Sequence, residues 1–463
     1  MGIGAYAVIV GGLLLALWRY PAVALAGVLC MFGLEQWGQA TTGFFAQHQT
    51  ATNFLIGGLL VLALVIQLFR KGFSMLTGYP LVGWLVLALF VYAFASAQWA
   101  PRADISLDLW ATRWPYVMTF IVLSPLLVTN SQDLRATNVA MLIIGGTLTL
   151  LLLFFVKWEN RLIVLDHGVG NPLAVSTMAG MVVLIAVLAD PWPGYKLWIP
   201  FKWLLILVCL FLVVRSASRG QLLGVLIVSV ACLPISRPLS SVKQFVILGL
   251  VVVFLGGATT WAIQEYSSKQ VYGNRGSRWS EEGAKEDVYG RLNNAIRLVE
   301  LAYKSPQTTL LGLGNSASYD PRILGIYPHF VPLEVLAEEG IIGFGLYALI
   351  LYCLLKSTVR SCRLVGNQQS ERLLLGGLVG LCMFTLLLSF KQGSLLGNLE
   401  FFMLAIILSR YEGILSRNRV LDKSRNEFEE EARNIDPPTP LSLGRMTTHF
   451  NAMPLRAPST NKQ

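Results

Sequence analysis

The chain has 463 residues, of which 54% are hydrophobic and only 13% are charged, and its mean hydropathy is +0.59. These values exclude a soluble globular domain and indicate a protein that crosses a membrane many times. The formal net charge is +10, but the basic residues are spread over short loops between apolar runs. That distribution is typical of membrane topology signals and not of a nucleic-acid-binding face. The six cysteines show no disulfide or metal-ligand spacing, so we expect no metal site.

The apolar runs predict an all-α, polytopic membrane protein, because each run approaches the length of about 20 residues that a membrane-spanning helix needs. We count about 12 or 13 transmembrane helices on this criterion. The predicted spans lie near residues 5–18, 21–36, 54–69, 81–97, 116–128, 140–156, 173–189, 203–214, 222–234, 245–262, 341–355, 373–390 and 395–408.

A hydrophilic stretch, residues 264–329, interrupts this succession and divides the chain. We expect transmembrane helices with short loops in residues 1–263, and an extramembrane loop with an amphipathic helix in residues 264–329. Further spans would fill residues 330–410. The remainder, residues 411–463, is charged and then rich in Pro, Ser, Thr and Asn, a composition that predicts a disordered tail.

Alternate loops should face alternate sides of the membrane, and short cytoplasmic loops carry the excess of Lys and Arg. The set of loops that includes Arg70, Lys202 and Arg372 holds more basic residues than the opposite set. We therefore expect this set and the tail to be cytoplasmic. The segment 264–329 then lies on the outer side of the membrane. The short loops predicted on the same side are residues 158–171, 215–219 and 391–398.

Two arginines, Arg215 and Arg219, stand between apolar runs at the predicted outer edge of the membrane. A charge at that depth requires an anionic partner or an escape to the lipid headgroups. The two residues are four positions apart, so they would share one face if the helix continued through them. Gly220 would let a bulky ligand approach the backbone. The pattern therefore predicts either a site for a ligand phosphate or snorkelling to the headgroups.

Residues 291–304 have the period of an amphipathic helix that lies flat on the membrane interface. Arg291 falls on the same side as Ala295 and Leu298, so we expect Arg291 to point inward and Arg297 to point to water. We also expect Arg291 to open this helix, because a guanidinium beside a helix N-terminus is well placed to hold a phosphate. The alternative is a surface arginine without a ligand.

His329 stands at the entrance of a further predicted helix and is one of only four histidines in the chain. With an ordinary pKa near about 6.5, its imidazole can accept a proton from an attacking hydroxyl at neutral pH, although a structural role is the alternative. Glu334 and Glu338 follow on the same helix. Buried carboxylates need partners, so we expect one of them to orient His329 or to pair with an arginine.

Other signatures of catalysis are absent from the sequence, which contains no Walker phosphate loop, no HExxH and no GxSxG. Gly312 and Gly314 alone do not predict nucleotide binding, and we interpret them as a turn through which the backbone passes closely. The acidic residues of the stretch 281–287 offer ligands to a divalent cation. A solvated acidic patch is the simpler interpretation.

Three stretches resemble motifs of one family when they are taken together and in order. Ser218-Arg219-Gly220 before an apolar helix resembles a Ser-Arg-Gly element, and Gly290-Arg291-Leu292 before a helix and a glycine turn resembles a second element. His329, followed by Glu334, Ala337-Glu338 and Gly340, is similar to a third. Over roughly residues 50–410 the chain thereby resembles the O-antigen ligase and polysaccharide polymerase superfamily of bacterial envelope proteins. It departs from the family pattern at Phe330, where Asn is usual, and at Glu334, where Gln is common.

This resemblance implies a glycosyltransferase of the bacterial inner membrane that needs neither a metal ion nor another cofactor. It would move a glycan from undecaprenyl pyrophosphate at the periplasmic face, with inversion at the anomeric carbon. Arg219 and Arg291 would bind the pyrophosphate, with Arg215 as the alternative to Arg219. His329 would be the general base, and Glu334 and Glu338 would support it.

The acceptor distinguishes the activities that the resemblance implies. A ligase with lipid A core as its acceptor is our first expectation, and a polymerase with a second lipid-linked glycan as its acceptor is the alternative. Outside the enzyme class, a transporter or flippase of a lipid-linked sugar or a small anion would use the same arginines to bind its cargo. Charges along several spans near the membrane midplane are typical of transport, whereas the charges of this chain cluster near one predicted face.

Overall fold

The computed structural model describes residues 2–75, 78–159, 162–165, 168–192, 195–237 and 281–434, with residues 243, 246 and 257 as isolated positions. Within these ranges the chain is almost entirely helical. Most of the predicted span at residues 245–262, the hydrophilic residues 264–280 and the tail beyond Asn434 lie outside the described residues.

The helices are numbered in chain order. In the first half they are α1 (Gly2–Leu17), α2 (Ala24–Leu29), α3 (Met31–Thr41), α4 (Gly43–Gln47), α5 (Ala51–Lys71), α6 (Leu81–Ser96), α7 (Ala103–Val117), α8 (Ser124–Leu126), α9 (Ser131–Phe154), α10 (Pro172–Leu184), α11 (Trp198–Arg215) and α12 (Arg219–Ser236). In the second half they are α13 (Glu281–Ala302), α14 (Pro306–Leu311), α15 (Val331–Glu338), α16 (Gly340–Val365), α17 (Gln369–Ser389) and α18 (Leu399–Asn434).

Short helical turns of other types extend or separate these helices. The 3-10 turns are Pro21–Val23, Gly72–Met75, Ala97–Trp99, Ala317–Tyr319 and Leu395–Gly397, and the π-helical segments are Met118–Leu123 and Ile185–Ala189.

The structure confirms an all-α, polytopic membrane protein. Among the described residues, eight helices are long and apolar enough to cross a membrane. These are Ala51–Lys71, Leu81–Trp99, Ser131–Phe154, Pro172–Ala189, Trp198–Arg215, Arg219–Ser236, Gly340–Val365 and Gln369–Ser389. A ninth span results if Pro21–Leu29 and Met31–Thr41, which are bent by 63° relative to each other, are counted as one.

The difference in the number of spans has local causes. The first apolar run forms α1, which has only 16 residues. The run near residues 116–128 is divided between α7, a π-helical segment and α8, and the last run belongs to α18, which carries Glu400 and Arg410 among its apolar residues. These predicted runs therefore do not form long, regular spans, and the predicted span near residues 245–262 lies mostly outside the described residues.

A small antiparallel sheet follows α9, which the all-α prediction did not include. Its strands are β1 (Trp158–Glu159), β2 (Leu162–Leu165) and β3 (Gly168–Val169), in that spatial order. Trp158 pairs with Ile163, and Val164 pairs with Val169. Asn171 then caps α10, since its side chain accepts a hydrogen bond from the N–H group of Leu173 at 3.0 Å.

Helices α10, α12 and α17 pack closely in the centre of the bundle, because glycines leave room for a large aromatic ring. A Cβ atom added at Gly180 or Gly224 would meet the ring of Phe384. Small residues at helix contacts let membrane helices approach each other in this way. The close packing fixes the start of α12 and the end of α17, where two of the candidate site residues, Arg219 and Lys391, lie.

One end of the bundle gathers residues from the loops predicted to be cytoplasmic. Asp190 accepts a hydrogen bond from Trp198 Nε1 at 2.7 Å, and its carboxylate pairs with Lys202 and Arg237. Arg372 donates hydrogen bonds to carbonyl groups at the end of α12. These loops therefore lie at one end of the bundle, and the side of the membrane that this end faces stays a prediction.

Residues 411–434 are helical, so the predicted disorder does not begin at residue 411, and residues 435–463 lie outside the described residues. α18 continues to Asn434, where the sequence is rich in Glu, Lys and Arg, which favour helices. Lys423 and Glu427 form an ion pair one helical turn apart, at 3.6 Å. Residues Met1–Ser416 form one compact unit, and the second unit begins at Arg417.

Candidate functional site

Arg215 and Arg219 lie at a break between two helices. α11 ends at Arg215, α12 begins at Arg219, and Ala217 between them has a φ angle of 52°. A left-handed residue terminates a helix, so the helix does not continue through the two arginines and the condition for a shared helical face is not met. The buried hydroxyl groups of Ser216 and Ser218 form a hydrogen bond of 2.9 Å, which closes the turn.

Arg215 and Arg219 have different surroundings. The guanidinium carbon of Arg215 lies 5.4 Å from the centre of the Trp158 ring, a cation–π contact. Its Nε atom is buried and has no hydrogen-bond partner among the described residues. Arg219 is half-buried in the first turn of α12, next to Gly220. Arg215 is thus held by the small sheet, whereas Arg219 directly precedes a glycine that contacts the loop after α17.

Arg291 lies inside a helix and not at its start. α13 already begins at Glu281, so the expected helix N-terminus beside this guanidinium is absent. The predicted orientation is observed, because Arg291 is half-buried on the side of the fully buried Ala295, whereas Arg297 is exposed. The Nη1 group of Arg291 donates a hydrogen bond of 3.0 Å to the carbonyl oxygen of Lys391.

Lys391, in the loop after α17, connects these elements. Its carbonyl oxygen accepts from Arg291, and its Nζ group donates to Gln221 Oε1 at 3.3 Å. Its side chain covers Gly220 so closely that a Cβ atom there would overlap it. Gly220 therefore leaves room for this lysine side chain. We call Arg219, Arg291 and Lys391, which come from three separate elements, the cationic cluster.

His329 has a left-handed backbone, with a φ angle of 61°. Such a conformation costs a residue with a Cβ atom about 1 kcal/mol and persists where the surroundings impose it. Its ring centre lies 4.1 Å from that of Tyr327. Burial raises the pKa of Tyr327, and the positive charges of Arg291 and Arg113 oppose this rise. The pair of Tyr327 and His329 is therefore within electrostatic reach of the cationic cluster.

The two predicted carboxylates are buried, but their described hydrogen bonds go to the backbone. Glu334 Oε1 accepts from the N–H group of Leu395 at 3.1 Å. Glu338 accepts from the N–H groups of Ser316 at 2.6 Å and Ser318 at 2.9 Å. Burial raises the pKa of Glu338 to about 7, and burial beside Glu338 raises the pKa of Glu334 well above its usual value. The expected partners, an arginine or the histidine, are not among these bonds.

Glu339, which was not predicted as a site residue, is a third buried carboxylate. Its Oε2 atom accepts from Ser96 Oγ at 2.7 Å, and its Oε1 atom accepts from Asn315 Nδ2 at 2.8 Å. Asn315 Oδ1 in turn accepts from Trp110 Nε1 at 3.0 Å. Burial raises the pKa of Glu339 to about 8. The network connects α6 and α7 to the junction between α15 and α16.

The glycine turn passes against this junction as closely as predicted. Gly312 and Gly314 have φ angles of 83° and 95°. The N–H group of Gly314 donates to the carbonyl oxygen of Glu338 at 2.9 Å, and a Cβ atom at Gly312 would overlap the same oxygen. The turn therefore fixes the end of α15, the helix that His329 precedes.

A cavity of about 310 Å³ lies beside the Tyr327 side chain. Its size is at the lower end of the range of roughly 300–1,000 Å³ that small-molecule sites occupy. The polar and aromatic residues that matter most in its wall are Arg113, Tyr116, Tyr327, Gln392, Asn398 and Glu400. Since Gln392 follows Lys391 directly, the cavity borders both the cationic cluster and the residue that contacts His329.

Three site residues were not predicted, namely Lys391, Arg113 and Glu339, and the sequence marks them only in part. Lys391 and Arg113 are basic residues of loops predicted to face the outer side, which indicates their side of the membrane but not their neighbours. Glu339 directly follows a selected glutamate. Its burial depends on Ser96 and Asn315, which are distant in the chain, and no local pattern reports such contacts.

These observations define a class, namely a polytopic, all-α membrane protein with cationic residues and buried carboxylates gathered at one end of its helices. No family model matches the chain, and no curated protein matches it. Among solved structures, it is similar to a chain from a structure described as "Structural coordination of polymerization and crosslinking by a peptidoglycan synthase complex". The identity is 15%, the TM-score is 0.42, and the match covers 72% of this chain and 95% of that chain. A similarity of this size does not establish a shared fold or a shared activity.

Proposed function

We propose that this protein is a metal-independent glycosyltransferase that moves a glycan from undecaprenyl pyrophosphate to a lipid acceptor. The reaction would take place at the periplasmic face of a bacterial inner membrane. Lipid A core is the acceptor that we favour, which makes the activity that of an O-antigen ligase. The observation that carries the proposal is the contact between Arg291 and Lys391, whose side chain packs on Gly220, the residue after Arg219. The charge of Arg291 also acts on Tyr327, whose ring contacts His329.

The charge and position of the cationic cluster suit a lipid pyrophosphate. Cationic side chains gathered from separate elements create a local positive potential that attracts a polyanion. The guanidinium groups of Arg219 and Arg291 provide paired N–H donors for phosphate oxygens, and Lys391 adds a compact charge. The cluster lies at the ends of membrane-spanning helices, so a lipid-anchored anion reaches it from the bilayer.

In the proposed reaction, the acceptor hydroxyl oxygen attacks the anomeric carbon and forms the new glycosidic bond. The bond between that carbon and the pyrophosphate oxygen breaks, and its electron pair leaves with undecaprenyl pyrophosphate. The hydroxyl proton passes to the neutral imidazole of His329. The cationic cluster stabilises the charge that grows on the leaving group, and attack opposite that group inverts the anomeric configuration.

Replacing the proposed base tests this assignment. We expect His329→Ala to lower turnover by about 100-fold or more, the usual contribution of a general base, while undecaprenyl pyrophosphate binds with unchanged affinity. His48→Ala provides a matched control, because His48 ends the short helix α4 and has no part in the proposed reaction. Turnover would be measured as release of undecaprenyl pyrophosphate, and binding by titration in lipid nanodiscs. An active His329→Ala variant would remove this residue from the mechanism.

A further inference from the structure

The cavity beside Tyr327 has no role in the reaction steps proposed above. Its wall combines aromatic rings with hydrogen-bonding groups. Tyr116 and Tyr327 contribute rings, and Gln392, Asn398 and Glu400 contribute amide and carboxyl groups. A sugar ring has apolar C–H faces and several hydroxyl groups, so it matches both parts of this wall. A purely apolar ligand would leave the amide and carboxyl groups without partners.

Two polar groups of the wall have unused donors. Asn398 Nδ2 is buried and has no hydrogen-bond partner in the described part of the chain. A buried N–H group without an acceptor costs about 1–3 kcal/mol, and a hydroxyl oxygen would provide the acceptor after a rotation of the amide. The guanidinium of Arg113 lies 5.9 Å from the Tyr116 ring centre, and among the described residues no carboxylate lies within ion-pair distance of it.

The position of the cavity indicates which sugar it would hold. Tyr327 lines the cavity and also contacts His329. Gln392 lines the cavity, follows Lys391 and accepts a hydrogen bond of 2.7 Å from Gln221 Nε2. A group in the cavity is therefore adjacent both to the cationic cluster and to the histidine. In a lipid-linked glycan, the sugar bonded to the pyrophosphate is the group that must lie between these two sites.

We propose that this cavity is a binding site for a single glycosyl residue, the one that is bonded directly to the pyrophosphate of the donor lipid. The identity of this ligand rests on the function proposed above. The polyhydroxylated ring would stack on Tyr116 and Tyr327, and its hydroxyl groups would bond to Gln392, Asn398 and Glu400. The site thereby holds the anomeric carbon between the leaving group and the base.

A glycine in the wall allows the cavity to be filled. A Cβ atom at Gly397 would meet only Ser394 Oγ, at an ordinary distance of 3.4 Å, and the backbone there is not left-handed. Gly397→Phe should therefore fold and occupy the cavity. Gly345→Phe is the matched control, because Gly345 is exposed on α16, has nothing within 4 Å of its Cβ position and does not line the cavity. Asn398→Leu provides an independent variant that removes the unused donor.

The test compares two lipids, undecaprenyl pyrophosphate and undecaprenyl pyrophosphate that carries one N-acetylhexosamine, by titration of the protein in lipid nanodiscs. We expect the wild type to bind the glycosylated lipid about tenfold more tightly. Gly397→Phe and Asn398→Leu should reduce this ratio to about one, with unchanged affinity for the bare lipid. Gly345→Phe should keep the wild-type ratio.

Three results would overturn the sugar site. Equal affinity of the wild type for both lipids would show that the sugar adds no contacts. An undiminished ratio in Gly397→Phe and Asn398→Leu would place the sugar elsewhere. If neither lipid binds to the wild type, the proposed pyrophosphate site fails first and the sugar site fails with it, so this outcome is distinct from the other two.

Discussion

Arg291 and Arg297 lie on the same helix in different surroundings, which provides a test of phosphate binding at the level of one residue. Arg291 is half-buried and donates to the loop that carries Lys391, whereas Arg297 is exposed. Lysine keeps the charge but loses the planar, two-pronged donor that fits a phosphate. We expect Arg291→Lys to weaken binding of undecaprenyl pyrophosphate by about tenfold, the equivalent of one good hydrogen bond to a charged group.

Titration of the lipid against Arg291→Lys and Arg297→Lys measures this difference. The Arg297→Lys variant should bind like the wild type, because its side chain points to water. Equal affinities of the wild type and both variants would mean that Arg291 is a structural residue and that the phosphates bind to other groups.

The protonation of the Glu339 carboxyl group should make the stability of the fold depend on pH. Burial raises the pKa of Glu339 from its usual 4.5 to about 8. Between these pH values the folded protein holds a proton that the unfolded chain releases, so this residue makes stability fall as the pH rises through the interval. Glutamine is a close substitute, because its amide provides both an acceptor for Asn315 and a donor for Ser96.

We therefore expect the Tm of the wild type in detergent to fall more steeply than that of Glu339→Gln between about pH 5 and about pH 8. At the upper end, the variant should be more stable by a few degrees. Glu334 and Glu338 change stability in the same direction and are present in both proteins, so the difference reports the charge of Glu339 together with its effect on these two neighbours. Parallel pH profiles would show that Glu339 is not protonated in the folded state.

At the scale of elements, the turn of Gly312 and Gly314 positions α15 and thereby His329. Gly312→Ala should be strongly destabilising, because the new Cβ atom would overlap the carbonyl oxygen of Glu338 in addition to straining a left-handed backbone. Gly325→Ala is the control, because it strains a left-handed backbone without creating an overlap. The φ angle of Gly325 is 68°, and its Cβ atom would lie at an ordinary distance of 3.5 Å from Pro321 Cα.

Thermal unfolding of the two glycine variants separates these effects. The control should lose about 1 kcal/mol, the usual cost of a left-handed residue with a side chain, and Gly312→Ala should lose several times more or fail to fold. Equal losses in the two variants would contradict the close contact between the turn and α15.

Most of the helices could be predicted from hydropathy, but their interruptions could not. Apolar runs report that a segment is buried, whereas bends depend on single residues and their packing. The break between α2 and α3 occurs at Cys30, and the break between α11 and α12 depends on a left-handed Ala217. Neither break is marked by a proline or glycine at that position. For this reason the spacing of Arg215 and Arg219 could not show whether the two residues share a helical face.

At the scale of the whole molecule, the candidate site is assembled from parts that are far apart in the sequence. The period of α13 correctly predicted the inward direction of Arg291, because the helix has one buried face. Its contact with Lys391, and that of Lys391 with Gly220, depend on the arrangement of the bundle. A single sequence therefore indicates which residues point inward but does not indicate which of them meet.

The most direct test of the proposed glycosyl transfer uses the purified wild-type protein in a lipid bilayer, supplied with a glycan on undecaprenyl pyrophosphate. Release of free undecaprenyl pyrophosphate would be measured with lipid A core, with a second lipid-linked glycan and with no acceptor. We expect release that requires lipid A core and is accompanied by transfer of the glycan to it. Release with chain growth but without the core would make the protein a polymerase, and no release with either acceptor would contradict glycosyl transfer and favour transport.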